Sequence, residues 1–162
     1  MRLLEVNKLI IDPTMQLLSG MDSVESRTML LAIGLQESRF IHRKQIGGPA
    51  RGFWQFELGG GVKGVLNHPV SRRLAHQVCS ILSVEPNKTV VYATLAMNDV
   101  LACAFARLLL YTDPFALPEL GDAQAAWDYY ERNWRPGQPH PQTWQALYDQ
   151  ALESATTYKR DS

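Results

Sequence analysis

Along this chain the apolar residues fall mostly at three- and four-residue steps, the period of one buried helix face, and the elements they predict are helices. Leu3, Leu4, Val6, Leu9 and Ile10, then Met15, Leu17 and Leu18, predict two short helical pieces. Pro13 would open the second behind Asp12 as its cap, and Gly20 would end it. Asp22 and Glu25 have the form of a capping box immediately before the run Met29 to Leu35. That run is apolar on nearly every side, which predicts the buried central helix of the fold. Gly34 inside it costs about 1 kcal/mol relative to alanine, a cost usually accepted where a backbone or a ligand must come close.

From Arg39 to Asn67 the period breaks into glycine and polar residues, with Gly47, Gly48, Gly52, Gly59, Gly60, Gly61 and Gly64. Phe53, Trp54 and Phe56 within this stretch argue for an ordered hairpin or irregular lobe facing the end of the central helix. His68 and Pro69 then open a helix to Leu82 with Leu74, Val78, Ile81 and Leu82 on one face. Thr89 to Met97 and Asn98 to Tyr111 read as a helix pair or one bent helix. Asp122 is a good cap for a helix over Ala123 to Trp134, and Arg135, Pro136 and Gly137 stop it sharply. A last helix starts near Pro141 and fades into a polar tail at Ser162. The fold expected is all-α, with at most a small hairpin: about seven helices around a buried central one, residues 1–162 forming one domain.

Composition narrows the function classes without choosing among them. The 162 residues are 46% hydrophobic and 20% charged, within the globular range. Lys plus Arg and Asp plus Glu balance at 16 each, so no basic bias points to nucleic acid. Cys79 and Cys103 lie in apolar helical patterns and outside any Cys/His cluster, which makes them core thiols and leaves no metal or cofactor site to expect. Glu5, Lys8 and Asp12 interrupt the N-terminal apolar positions, so no export signal is expected there. No apolar run approaches the roughly 18 residues of a membrane span. The expectation is a chain made in the cytoplasm.

The candidate chemistry gathers at the end of the central helix. Ala32 to Phe40 delivers one carboxylate, Glu37, to the helix C-terminus among Ile33, Leu35 and Phe40. The negative end of the helix dipole and apolar neighbours both disfavour the ionised form and raise its pKa, as a general acid working near neutral pH requires. Fifteen residues on comes Gly52-Phe53-Trp54-Gln55. Glu37-Ser38 with this Gly-x-x-Gln segment resembles the paired motifs of the lytic transglycosylases, lysozyme-like enzymes that cleave peptidoglycan. The resemblance covers Val24 to Phe56 well and Ala96 to Trp134 loosely. It implies that Glu37 is the catalytic residue, protonating the glycosidic oxygen and then acting as base, opposite a cleft wall made by Gly52 to Gln55.

Ser38 would then orient Glu37, or merely help end the helix. Phe53 and Trp54 would contact substrate or anchor the loop, and Gln55 would offer its amide to sugar groups. The family also carries an Ala-Tyr-Asn helix whose tyrosine touches the glutamate. This chain has Ala125 to Trp134 in its place, where Tyr129 or Tyr130 could supply the phenol. Trp127, Tyr130 and Trp134 share a face by their spacing and Tyr129 points elsewhere, so Tyr130 is preferred, with Trp134 as a further contact. A hydrolase would need a second carboxylate, for which Glu57 or Asp99 is available. His42, His68, His76 and His140 lack paired partners and default to structural or solvated roles. The partners implied are peptidoglycan glycan strands at the cell wall, with no nucleic acid and no stable membrane insertion. Resemblance and size together suggest a phage endolysin released by a holin, or a virion-associated lysin; a muramidase or chitinase-like hydrolase using a second carboxylate, or a non-catalytic saccharide-binding or virion structural module, is the alternative.

Overall fold

The computed structural model describes residues 1–162 and is helical throughout. In chain order it runs α1 (Leu3–Val6), a π-helical turn (Asn7–Ile11), α2 (Asp12–Leu17), α3 (Val24–Ser38), a second π-helical turn (Leu58–Val62), α4 (Lys63–Asn67), α5 (Arg72–Ile81), α6 (Lys88–Leu95), α7 (Asp99–Thr112), α8 (Ala123–Trp134) and α9 (Pro141–Asp161). No strand forms. The expected hairpin is reduced to two isolated antiparallel bridges, Lys44 with Arg51 and Arg51 with Phe56.

Helix α3 is the centre, with every residue from Ser26 to Leu35 buried. It lies along α9 and also meets α7, so a core of 41 residues is continuous from the N-terminal helices to the C-terminal one. At its start the cap is Ser23, not Asp22: Ser23 and Ser26 cap one another reciprocally, each backbone N–H meeting the other's hydroxyl at 3.0 Å. Asp22 is instead drawn to the buried guanidinium of Arg27 (2.7 Å), which also meets Asp12 (2.8 Å). A buried guanidinium left unpaired is far costlier than one helix cap, so the ion pair wins the carboxylate. Asp12 accordingly does not cap α2, which continues without a break from the preceding π turn.

Two further expectations are refined. Helix α5 starts only at Arg72 and buries Ala75, Val78 and Cys79, while Ile81 is 54% exposed; the buried face is turned by one position from the expected one. Helices α6 and α7 are a pair set at 118°, hinged at Asn98, whose side chain caps α7 by accepting from Leu101 N–H at 2.9 Å. No single helix is long and apolar enough to cross a membrane; α6 and α7 pass that test only when taken together. Most of α7 is buried in the core.

Candidate active site

Helix α3 ends where the chain turns left-handed at both Arg39 (φ 55°) and Phe40 (φ 54°). The backbone of Ser38 sits at that break, and its hydroxyl donates to the Gly34 carbonyl (3.2 Å) while accepting from Phe40 N–H (3.1 Å). The ring of Phe40 folds back over Gly34, where an added Cβ would stand 2.1 Å from the ring carbon Cζ. Gly34 is thus needed for the close approach of a side chain. Phe40 meets Phe53 and Trp54 edge-on, at ring distances of 5.5 and 5.6 Å. Trp54 donates its indole N–H to the Leu30 carbonyl at 2.8 Å. These contacts fix the last turn of α3 and aim Glu37 outward from a rigid base.

Glu37 opens on a cleft of about 1090 Å³. Its floor and walls come from the end of α3, from Gln55 to Gly64 and from the C-terminal half of α8 with the loop to His140. The hydroxyl of Tyr130 donates to Glu37 Oε1 at 2.5 Å. Tyr130 is 2% exposed and stacks on Trp144 with ring centres 5.2 Å apart and planes 7° from parallel. Trp127 meets it edge-on at 5.3 Å, so the phenol is held by rings on two sides. Burial raises the Glu37 pKa to about 7, the Tyr130 hydrogen bond acting against it. No cation pairs with this carboxyl. The Tyr130 hydroxyl is pushed upward in turn, first by burial and then by Glu37.

The other expected site residues divide. Gln55, Trp134 and Glu57 line the cleft with Glu37 and Tyr130. Gln55 is held in left-handed backbone (φ 52°), its side-chain Nε2 donating to the Gly52 carbonyl at 2.8 Å. Trp134 donates its indole N–H to the Trp54 carbonyl at 2.9 Å and meets Phe56 edge-on, which ties α8 to the opposite wall.

Ser38, Gly52, Phe53 and Trp54 do not line the cleft: of the alternatives open for them, Ser38 takes the helix end and Phe53 and Trp54 the loop anchor, and substrate contact by these four is corrected. Ser38 is 5% exposed and spends its hydroxyl on ending the helix. Gly52 has φ 75° and a Cβ there would come within 3.1 Å of Ala102, so both backbone and packing call for glycine. Phe53 and Trp54 are each 1% exposed and anchor the lobe to the core. Asp99 is likewise committed: Arg43 binds both its oxygens at 2.8 Å, outside the cleft. Tyr129 donates to the Leu110 carbonyl at 2.8 Å, away from Glu37.

Several lining residues carried little signal in the sequence. Gln36, Gln45, Asn133 and Gln138 line the cleft beside Gln55, the Asn133 amide donating to Asp113 (2.7 Å) and to the Tyr129 carbonyl (2.8 Å). Gln36 donates to the His140 carbonyl (3.1 Å) and accepts from Thr143 (3.0 Å), joining α3 to the start of α9. Arg135, Pro136 and Gly137, expected as a helix stop only, also line the cleft, as do His68 and His140. Only the position of Gln36 next to Glu37 could have pointed to any of these.

Comparison of the chain with protein-family models, with curated proteins and with solved structures finds no match in any of the three. The functional reading therefore rests on the motifs and on this geometry.

Proposed function

We propose that the chain is a lysozyme-like, peptidoglycan-cleaving enzyme of the lytic transglycosylase type, cutting the β-1,4 bond between N-acetylmuramic acid and N-acetylglucosamine with Glu37 as its one acid and base. The observation that carries this reading is a carboxyl with pKa raised to about 7, hydrogen-bonded by a buried phenol, at the edge of a large polar cleft. A pKa near the working pH lets one group both give and take a proton efficiently. Glycosidic cleavage asks for that ability twice.

In the first step the neutral Glu37 carboxyl gives its proton to the glycosidic oxygen as the bond to C1 breaks. The leaving N-acetylglucosamine departs with a free 4-hydroxyl, and positive charge develops on the muramic acid ring. The Glu37 carboxylate so formed is stabilised by the Tyr130 hydroxyl, a bond worth more to the anion than to the acid. In the second step the carboxylate takes the proton of the muramic C6 hydroxyl while that oxygen bonds to C1. An anhydro ring closes, no water is consumed and Glu37 is again protonated. Gln138, whose side-chain amide has no partner within the chain, and the Oε1 of Gln55 suit the acetamido and hydroxyl groups of such a strand, and Trp134 offers an aromatic surface. The cleft volume of about 1090 Å³ lies just above the roughly 300–1,000 Å³ of small-molecule pockets, which leaves room for a segment of a polymer.

A hydrolase reading is kept alive by one observation: Glu57 is the second carboxylate in the same cleft. Digestion of purified sacculi separates the possibilities. Wild type is expected to release soluble fragments, Glu37→Gln to release none and Glu57→Gln to stay within a few-fold of wild type. Loss of activity in Glu57→Gln equal to that in Glu37→Gln would favour the hydrolase. A wild type that pellets with sacculi and releases nothing would leave a binding module. On the enzymatic reading, the setting we favour is a phage endolysin or virion-associated lysin.

A further inference from the structure

We propose that Arg135 selects substrate strands bearing an anionic substituent, a carboxylate of the peptide stem, over strands that lack one; this rests on the glycan-cleaving reading of the same cleft. Two arginines line the cleft, and they differ in what they hold. Arg132 is neutralised by Asp113, with Nε 2.7 Å from the carboxylate. Arg135 takes part in no ion pair. Its one side-chain hydrogen bond runs from Nε to the Arg132 carbonyl at 3.4 Å, which orients the guanidinium and leaves its outer nitrogens free. A guanidinium presents paired N–H groups that match a carboxylate with two parallel bonds.

The backbone fixes where Arg135 stands. Arg135 ends α8 in left-handed conformation, φ 50° and ψ 56°, the position at which glycine carries no steric penalty and is the usual choice. Gly137, two residues later, is not in that conformation. Arg39 ends α3 in the same conformation and does not line the cleft, so what sets Arg135 apart is its place at the lip of the cleft without an ion partner. Attraction between a cation and the negative end of α8 is the competing explanation, and it predicts an effect on stability alone. Of the two carboxyls in the cleft, neither pairs with this arginine.

The test uses two substrates from one preparation: native peptidoglycan strands, and the same strands with their peptide carboxylates capped as neutral methylamides. Wild type is expected to favour native strands by about ten-fold in kcat/KM, carried mainly by KM. Arg135→Gly and Arg135→Gln should both bring that ratio to about one, while Arg135→Lys keeps part of it. Arg135→Gly should melt no lower than wild type, since it relieves the left-handed strain. Binding of the Glu37→Gln protein to the same two preparations, with and without Arg135→Gln, reads the preference without turnover. Equal use and equal binding of both strands by protein carrying Arg135 overturns the proposal, as does a ratio that survives Arg135→Gly. If Glu37→Gln keeps full activity, the assignment of Glu37 fails instead, and the binding ratio still decides the role of Arg135.

Discussion

Replacing Glu37 by glutamine is expected to silence the protein and at the same time to stabilise it, by an amount that grows with pH. Between the ordinary carboxyl value of 4.5 and the folded value of about 7, the native state keeps the proton that the unfolded chain has lost. Stability falls with pH wherever the native state binds more protons than the unfolded one. The burial of Glu37 is therefore free of penalty below pH 4.5, costs progressively more through the window and carries its full cost above pH 7. A shift of this size is worth about 3 kcal/mol at pH 8 and under about 1 kcal/mol at pH 5. Glutamine does not ionise, has nearly the same shape and can still accept from the Tyr130 hydroxyl through its carbonyl oxygen. The variant should escape the penalty and melt about 6–12 °C above wild type at pH 8, against about 2–3 °C at pH 5. Calorimetry or circular dichroism melts at the two pH values supply the check. Stabilisation that is equal at both, or larger at pH 5, would mean that Glu37 titrates like a solvated carboxyl, and the argument for its acid role would be lost.

Removing the phenol in Tyr130→Phe takes away the one hydrogen bond that favours the Glu37 anion, so the high-pH limb of the activity profile should move further upward, with activity reduced about 10²-fold or more; an unmoved limb would separate Tyr130 from Glu37. Gly34→Ala forces the Phe40 ring off the helix and should cost about 1–3 kcal/mol of stability, read by urea denaturation, whereas an unchanged midpoint would refute the packing described at the end of α3. Gly64→Ala meets no atom within 4 Å inside α4 and should stabilise by about 0.5–1 kcal/mol; a loss of stability there would show a constraint on Gly64 from the fold itself.

Periodicity made the helices legible, and what it missed has specific physical causes. Helix α8 runs from Ala123 to Trp134 behind Asp122, the bounds and cap that the pattern predicts, because cap, period and stop all lie within one local stretch. The three- and four-residue spacing on that helix also separates Tyr130, on Glu37, from Tyr129, which turns to Leu110. Ser23 displaced Asp22 as a cap because Arg27, a residue chosen by the core, claimed the carboxylate. That competition is tertiary and has no local sign.

The glycine-rich lobe was the least legible part. In a loop without a repeat, nothing says which of Phe53, Trp54 and Gln55 turns inward; the left-handed turns at Gly52 and Gln55 decide it, burying the two rings and leaving the amide at the cleft. The same holds for Arg135, whose role in a cleft wall depends on a backbone conformation that its residue type does not announce.

The most direct test of Glu37 as acid and then base is the mass of what the protein releases from purified sacculi. Cleavage with ring closure predicts muropeptides ending in anhydro-muramic acid, one water lighter than hydrolysis products, from wild type and none from Glu37→Gln. Fragments carrying the added water, or fragments of either kind from the Glu37→Gln protein, would contradict it.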